Sequence, residues 1–132
     1  MDERERYEQG MRIRRDVLGN EHVDRARAAQ SEIDVDFQDL ITRYAWGEIW
    51  ARPGLSRHMR SLLTIGLMVA MNRGDELKLH LQAAANNGVT LEEIREVLLH
   101  CAVYCGVPAA NSAFHAAKEV LSNLKASSEL GE

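Results

Sequence analysis

Two residues that can move protons stand in apolar company in this sequence. His80 lies within Leu77-Lys78-Leu79-His80-Leu81, and Glu48 lies between Trp46 and Trp50. An imidazole held among apolar side chains titrates near neutral pH and can give a proton to a bound substrate or take one from it. A lone histidine on an apolar face serves equally well as a hydrogen-bonded core residue. A carboxylate between two indoles at a helix end is partly desolvated, which raises its pKa. The plainer reading of Glu48 is a solvated surface residue. Arg52, Arg57, His58 and Arg60 cluster on either side of Pro53-Gly54. Arginine is the side chain best shaped to hold a carboxylate by two parallel hydrogen bonds, so this cluster suits an acidic substrate. Helix capping and salt bridges between subunits are the competing uses.

Cys101 and Cys105 share one helical face and fall in step with Leu91, Ile94, Val97 and Leu98, as buried small hydrophobes do. A redox role needs a lowered pKa, and His100 is the only basic residue nearby in sequence. His100 flanks the apolar stripe and faces either the core or an interface, His115 reads as exposed or interfacial, and His22 lies in an early loop. The histidines are scattered and form no ligand set at a usual metal-binding spacing, so no metal site is expected. Glycine loops for phosphate and a nucleophile elbow are also missing.

The elements that must position these groups are helices, because apolar residues recur at helical spacing from Phe37 to Leu124 and no stretch alternates as a strand would. The fold class is all-α, with about six helices in a single domain over residues 1–132, of which residues 1–30 form a helical N-terminal arm. The arm carries one amphipathic helix around Tyr7 to Leu18 and a loop at Gly19-Asn20. Asp34 or Asp36 caps a second helix whose apolar residues are Phe37, Leu40, Ile41, Tyr44 and Ala45, and Pro53-Gly54 ends it near Arg52. Ser56 caps an apolar helix through Met71, hydrophobic nearly all round and expected at the centre of the fold. Asp75 caps the next, with Leu77, Leu81 and Ala84 on one face and Gly88 as its stop. Thr90-Leu91-Glu92-Glu93 is a capping box, with Val89 and Ile94 as its hydrophobic staple. Pro108 suits the first turn of a last helix, whose alanines permit a close approach to a neighbour.

A net charge of −4 offers no general attraction to nucleic acid or anionic lipid. The one long apolar run, Leu62 to Met71, is far shorter than the roughly 20 residues of a membrane span. The charged opening Asp2-Glu3-Arg4-Glu5-Arg6 is unlike a signal peptide, so a cytoplasmic address with free thiols is expected.

Three stretches together carry a family resemblance: Trp46-Gly47-Glu48-Ile49-Trp50 through Arg52-Pro53-Gly54-Leu55-Ser56, then Gly74 to His80, then Gly88 to Ile94. In order and spacing they resemble the carboxymuconolactone decarboxylase family, across nearly the whole chain. The helical hairpin is shared with the alkylhydroperoxidase D relatives, which carry a Cys-x-x-Cys pair ahead of a histidine. Here Arg73 and Glu76 stand where those cysteines would be, and His80 keeps the histidine's place. The resemblance therefore implies the decarboxylase branch. The alternative is a thiol-dependent peroxidase or disulfide reductase using Cys101 and Cys105.

The resemblance further implies a cofactor-free reaction on a small lactone dicarboxylate, yielding the enol-lactone of beta-ketoadipate. His80 would be the general acid, and Glu48 would polarise it or relay the proton. Arg52, Arg57 or Arg60 would anchor the substrate's acetate arm, with His58 as a further candidate. Trp46 and Trp50 would supply apolar wall. A homohexamer arranged as a trimer of dimers is implied as well.

Overall fold

The computed structural model describes the backbone of residues 1–131 and the side chains of residues 1–127. It is all-α, with no strand among the described residues. In chain order the elements are α1 (Glu3–Leu18), α2 (Asn20–Ala28), α3 (Val35–Ile41), a π-helical segment (Thr42–Ile49), α4 (Arg57–Ala70), α5 (Gly74–Ala83), a 3₁₀ turn (Ala84–Asn87), α6 (Leu91–Tyr104) and α7 (Val107–Gly131). Contacts gather these into two units, Met1–Arg57 and His58–Glu132.

In the first unit α1 starts where the Asp2 carboxylate accepts a hydrogen bond from the Glu5 amide at 2.8 Å. Glu3 and Glu5 set negative charge against the positive end of the helix. Gly19, at φ 92°, closes α1 and leads straight into α2, so a second short helix replaces the loop that Gly19-Asn20 suggests. Val23 is the only buried residue of α2, too sparse an apolar pattern to announce a helix.

The inner side of α1 lies against the π segment at backbone distance. A Cβ on Gly10 would stand 1.9 Å from the Thr42 carbonyl oxygen, and one on Gly47 would stand 2.5 Å from that of Arg6. Gln9 donates to the Gly47 carbonyl oxygen at 3.0 Å. Buried Arg14 donates to the Thr42 hydroxyl at 3.3 Å and to the Gln38 side-chain oxygen at 3.0 Å.

The apolar residues of the second expected helix do not supply its buried side. Phe37, Leu40 and Tyr44 are exposed, and α3 buries none of its residues. At Thr42 the helix widens: the Trp50 amide reaches back five residues to the Ala45 carbonyl at 2.9 Å. In this register Thr42, Trp46 and Gly47 are the buried positions. π-helical turns are rare and recur at functional sites.

The second unit is built around Ile65 and Val69 of α4, Leu77 and Leu81 of α5, and Ile94 and Leu98 of α6, closed by Ala113, Ala116 and Ala117 of α7. α5 and α6 both pack on α7, where small side chains allow close approach. Gly88 takes the left-handed conformation at φ 76° that ends the 3₁₀ turn. Both halves of the capping box form: Glu93 N–H donates to the Thr90 hydroxyl at 3.1 Å, and Thr90 N–H donates to the Glu93 carboxylate at 3.0 Å. Val89 and Ile94 are buried beside it as the staple requires. Asp75 lies inside the first turn of α5, whose N-cap is Arg73.

α4 departs from its expected place as an enclosed central helix. It buries Ser61, Ile65 and Val69, whereas Met59, Leu63 and Leu67, with Met71 just past its end, stay between 46% and 55% exposed. One stripe of an all-round apolar helix thus enters this chain's core and the opposite stripe does not.

Candidate active site

Trp46, Glu48, Trp50 and Arg52 come from one stretch, the π segment and the turn after it. Trp46 is buried and packs on Trp50, with ring centroids 5.1 Å apart and planes tilted by 32°. Glu48 is not sandwiched between the indoles. Its side chain is 44% exposed and its carboxylate takes an ion pair from Arg6 of α1. Arg52, four residues on, approaches the other oxygen at 4.0 Å. The desolvated carboxylate suggested by two flanking tryptophans is therefore replaced by one held between two guanidinium groups.

Around Arg6 the charges form a connected set. Glu3 meets Arg6 at 3.5 Å and Arg43 at 3.5 Å, and accepts the Tyr44 hydroxyl at 2.9 Å. The Arg6 guanidinium also lies 5.5 Å from the centre of the Tyr44 ring. Burial works to lower the Arg6 pKa, but the bonds from Glu48 and Glu3 outweigh it and the net shift is upward.

Arg57 pairs with Asp16 of α1 at 3.1 Å, an ion pair within the chain. His58, in the first turn of α4, lies 2.8 Å and 2.9 Å from the two carboxylate oxygens of Glu93. The bond from His58 and then that from the Thr90 amide hold Glu93 below the usual carboxylate range. Arg60 is half-buried on the same helix.

His80 is half-buried on α5, directly before the buried Leu81. Arg73 and Glu76, at the places of the peroxidase thiols, are exposed. Cys101 is buried, Cys105 partly so, and both are free thiols. Burial first, and the neighbouring Cys105 second, push the Cys101 thiol upward, away from the thiolate that redox chemistry needs. Among the described residues no three His, Cys, Asp or Glu side chains gather to hold a metal ion.

An open apolar groove of about 550 Å³ runs between α4 and α6 in the second unit. Leu62, Leu63, Gly66, Leu67 and Val97 form its walls, with Glu96, His100 and Cys101 beside them. Neither His80 nor Glu48 lines it. His100 stacks on Tyr104 at 4.8 Å, and His115 is exposed.

Sequence reasoning missed Arg6, Glu93 as the partner of His58, and the half-buried His22, whose pKa is lowered by burial and by Arg14 and Arg25. A signal for the first was present in Arg6-x-x-x-Gly10-x-x-x-Arg14, a glycine at helical spacing between two arginines.

Comparison with known proteins bears on the same stretches. A protein of Acinetobacter baylyi named 4-carboxymuconolactone decarboxylase is 50% identical over 124 residues, covering 94% of this chain and 92% of that protein. A nitrosuccinic acid decarboxylase of Metarhizium robertsii is 44% identical over 118 residues, 89% of this chain and 82% of its own. Residues 36–119, which include the π segment, the arginine cluster and His80, match the profile of the carboxymuconolactone decarboxylase family. The chain belongs to the carboxymuconolactone decarboxylase family.

Proposed function

We infer that this chain is a carboxy-lyase that removes carbon dioxide from gamma-carboxymuconolactone and leaves the enol-lactone of beta-ketoadipate, a step in the breakdown of protocatechuate. The observation that carries the reading is 50% identity along 94% of the chain to the Acinetobacter protein of that name. The chemistry needs no cofactor. When carbon dioxide leaves, the electron pair spreads through the ring double bond into the lactone carbonyl, and a proton must then be delivered to carbon. Nitrosuccinic acid also carries an internal electron sink, its nitro group, so the two relatives' names describe one kind of chemistry.

His80 is assigned the proton delivery, a contribution of about 100-fold to 10,000-fold, and Glu48 is the accompanying carboxylate. Arg52, Arg57 and Arg60 are the candidates to anchor the acetate arm and to stabilise the developing oxyanion, where losing a preorganised donor costs about 100-fold to 1,000-fold. Trp46 and Trp50 supply apolar wall, and His58 remains a candidate on the substrate side. The thiol-peroxidase alternative draws no support, because Cys101 is shifted away from the thiolate.

A homohexamer, as a trimer of dimers, is the proposed assembly. The apolar stripe of Met59, Leu63, Leu67 and Met71 beside an apolar groove supports contact with further copies. No helix among the described residues is long and apolar enough to cross a membrane. The proposed compartment is the cytoplasm, whose reducing conditions suit the two free thiols.

The direct test is loss of lactone absorbance with purified protein and no added cofactor, beside the same protein offered nitrosuccinate. A higher kcat/KM on the lactone is expected. The reverse order would reassign the substrate, and turnover of neither would refute the reading.

A further inference from the structure

The charge set on α1 has no assigned part in the chemistry, yet its central member is bonded to the carboxylate assigned one. Arg6 is only 20% exposed and donates to Glu48, which is 42 positions away in sequence. It is fixed from other sides by Glu3 and by the Tyr44 ring. The helix that carries it sits on the π segment at backbone distance through Gly10 and Gly47, so the base of the Arg6 side chain is as firmly placed as its tip. Arg52, by contrast, is 63% exposed and stands at 4.0 Å from the same carboxylate. Of the two cations, Arg6 makes the closer contact with Glu48.

We propose that Arg6 is a positioning residue: it fixes the Glu48 carboxylate in one orientation on the π segment, making the N-terminal helix part of the catalytic apparatus. This rests on the reading of Glu48 as the accompanying carboxylate. A glutamate that is half exposed samples several rotamers when unrestrained, and misplacing a catalytic group by about 1 Å costs roughly 100-fold in rate. The cost falls on the chemical step, because Arg6 acts through Glu48 and not on the substrate.

The test measures kcat and KM for lactone decarboxylation in the full chain carrying Arg6→Gln, Arg6→Lys, Glu48→Gln and the Arg6→Gln/Glu48→Gln pair. Arg4→Ala, on the exposed side of the same helix, is the control. Arg6→Gln removes the guanidinium over the Tyr44 ring and leaves the Gly10–Thr42 approach untouched, and thermal unfolding of each variant checks that α1 stays docked. Arg6→Gln is expected to lower kcat roughly 10-fold to 100-fold with little change in KM. Arg6→Lys should recover part of the loss, and the double variant should be no slower than Glu48→Gln alone. Losses that multiply in the double variant, or a normal kcat in Arg6→Gln beside an impaired Glu48→Gln, would overturn the proposal while leaving the role of Glu48 intact. Near-normal turnover in Glu48→Gln would overturn the reading of Glu48 and the proposal with it.

Discussion

Glu93 has two tasks at once, closing the capping box of α6 and accepting the ring nitrogen of His58. Both hold its folded pKa below the usual carboxylate value. A depressed folded pKa contributes stability that is complete above the unfolded value of about 4.3 and is lost as pH falls through the folded value. Glu93→Gln should therefore melt below the native chain at neutral pH, and the two thermal midpoints should converge as the pH falls through the folded value. A gap that stays constant with pH would show that the carboxylate charge is not what stabilises. The capping box was legible because its partners are three residues apart, a spacing set by the helix itself. His58 lies 35 positions from Glu93, and only the fold brings them together. The same holds for Arg6 and Glu48, 42 positions apart, so which cation holds this carboxylate could not be read from the sequence. For Glu48 the tryptophan neighbours misled, since they pack on each other and leave the carboxylate to the arginines.

At the scale of elements, helix ends written in local chemistry were readable: Gly88 as a stop, Thr90 as a cap, Pro108 in the first turn of α7. The π segment was not, because a hydrogen bond to the fifth residue back has no residue signature. α1 lies against it, and the approach passes through Gly10. In an exposed helix interior, glycine to alanine gains about 1 kcal/mol of helix propensity. Here the added Cβ would meet a backbone carbonyl oxygen at 1.9 Å, and overpacking of this kind costs about 1–3 kcal/mol. Gly10→Ala should accordingly lower the urea midpoint for unfolding. A raised midpoint would mean that α1 and the π segment do not need that approach.

For the whole molecule, the all-helical class followed from the periodicity, and the family followed from three short stretches whose order and spacing agree with it. Where α4 sits did not follow. A helix apolar all round is expected to be enclosed, but a single chain cannot reveal whether its own core or another copy encloses it. Leu67→Glu places a charge on the exposed stripe of α4, away from the buried Ile65 and Val69. Sedimentation should then show a smaller assembly with helicity unchanged, whereas an unaltered mass would move the subunit contact elsewhere. The account as a whole turns on one pair of rates. Turnover of gamma-carboxymuconolactone by the native chain and by His80→Ala, with no cofactor added, should differ by about 100-fold to 10,000-fold, as loss of a positioned general acid requires. If the variant keeps nearly the native rate, His80 does not deliver the proton and the proposed mechanism is wrong.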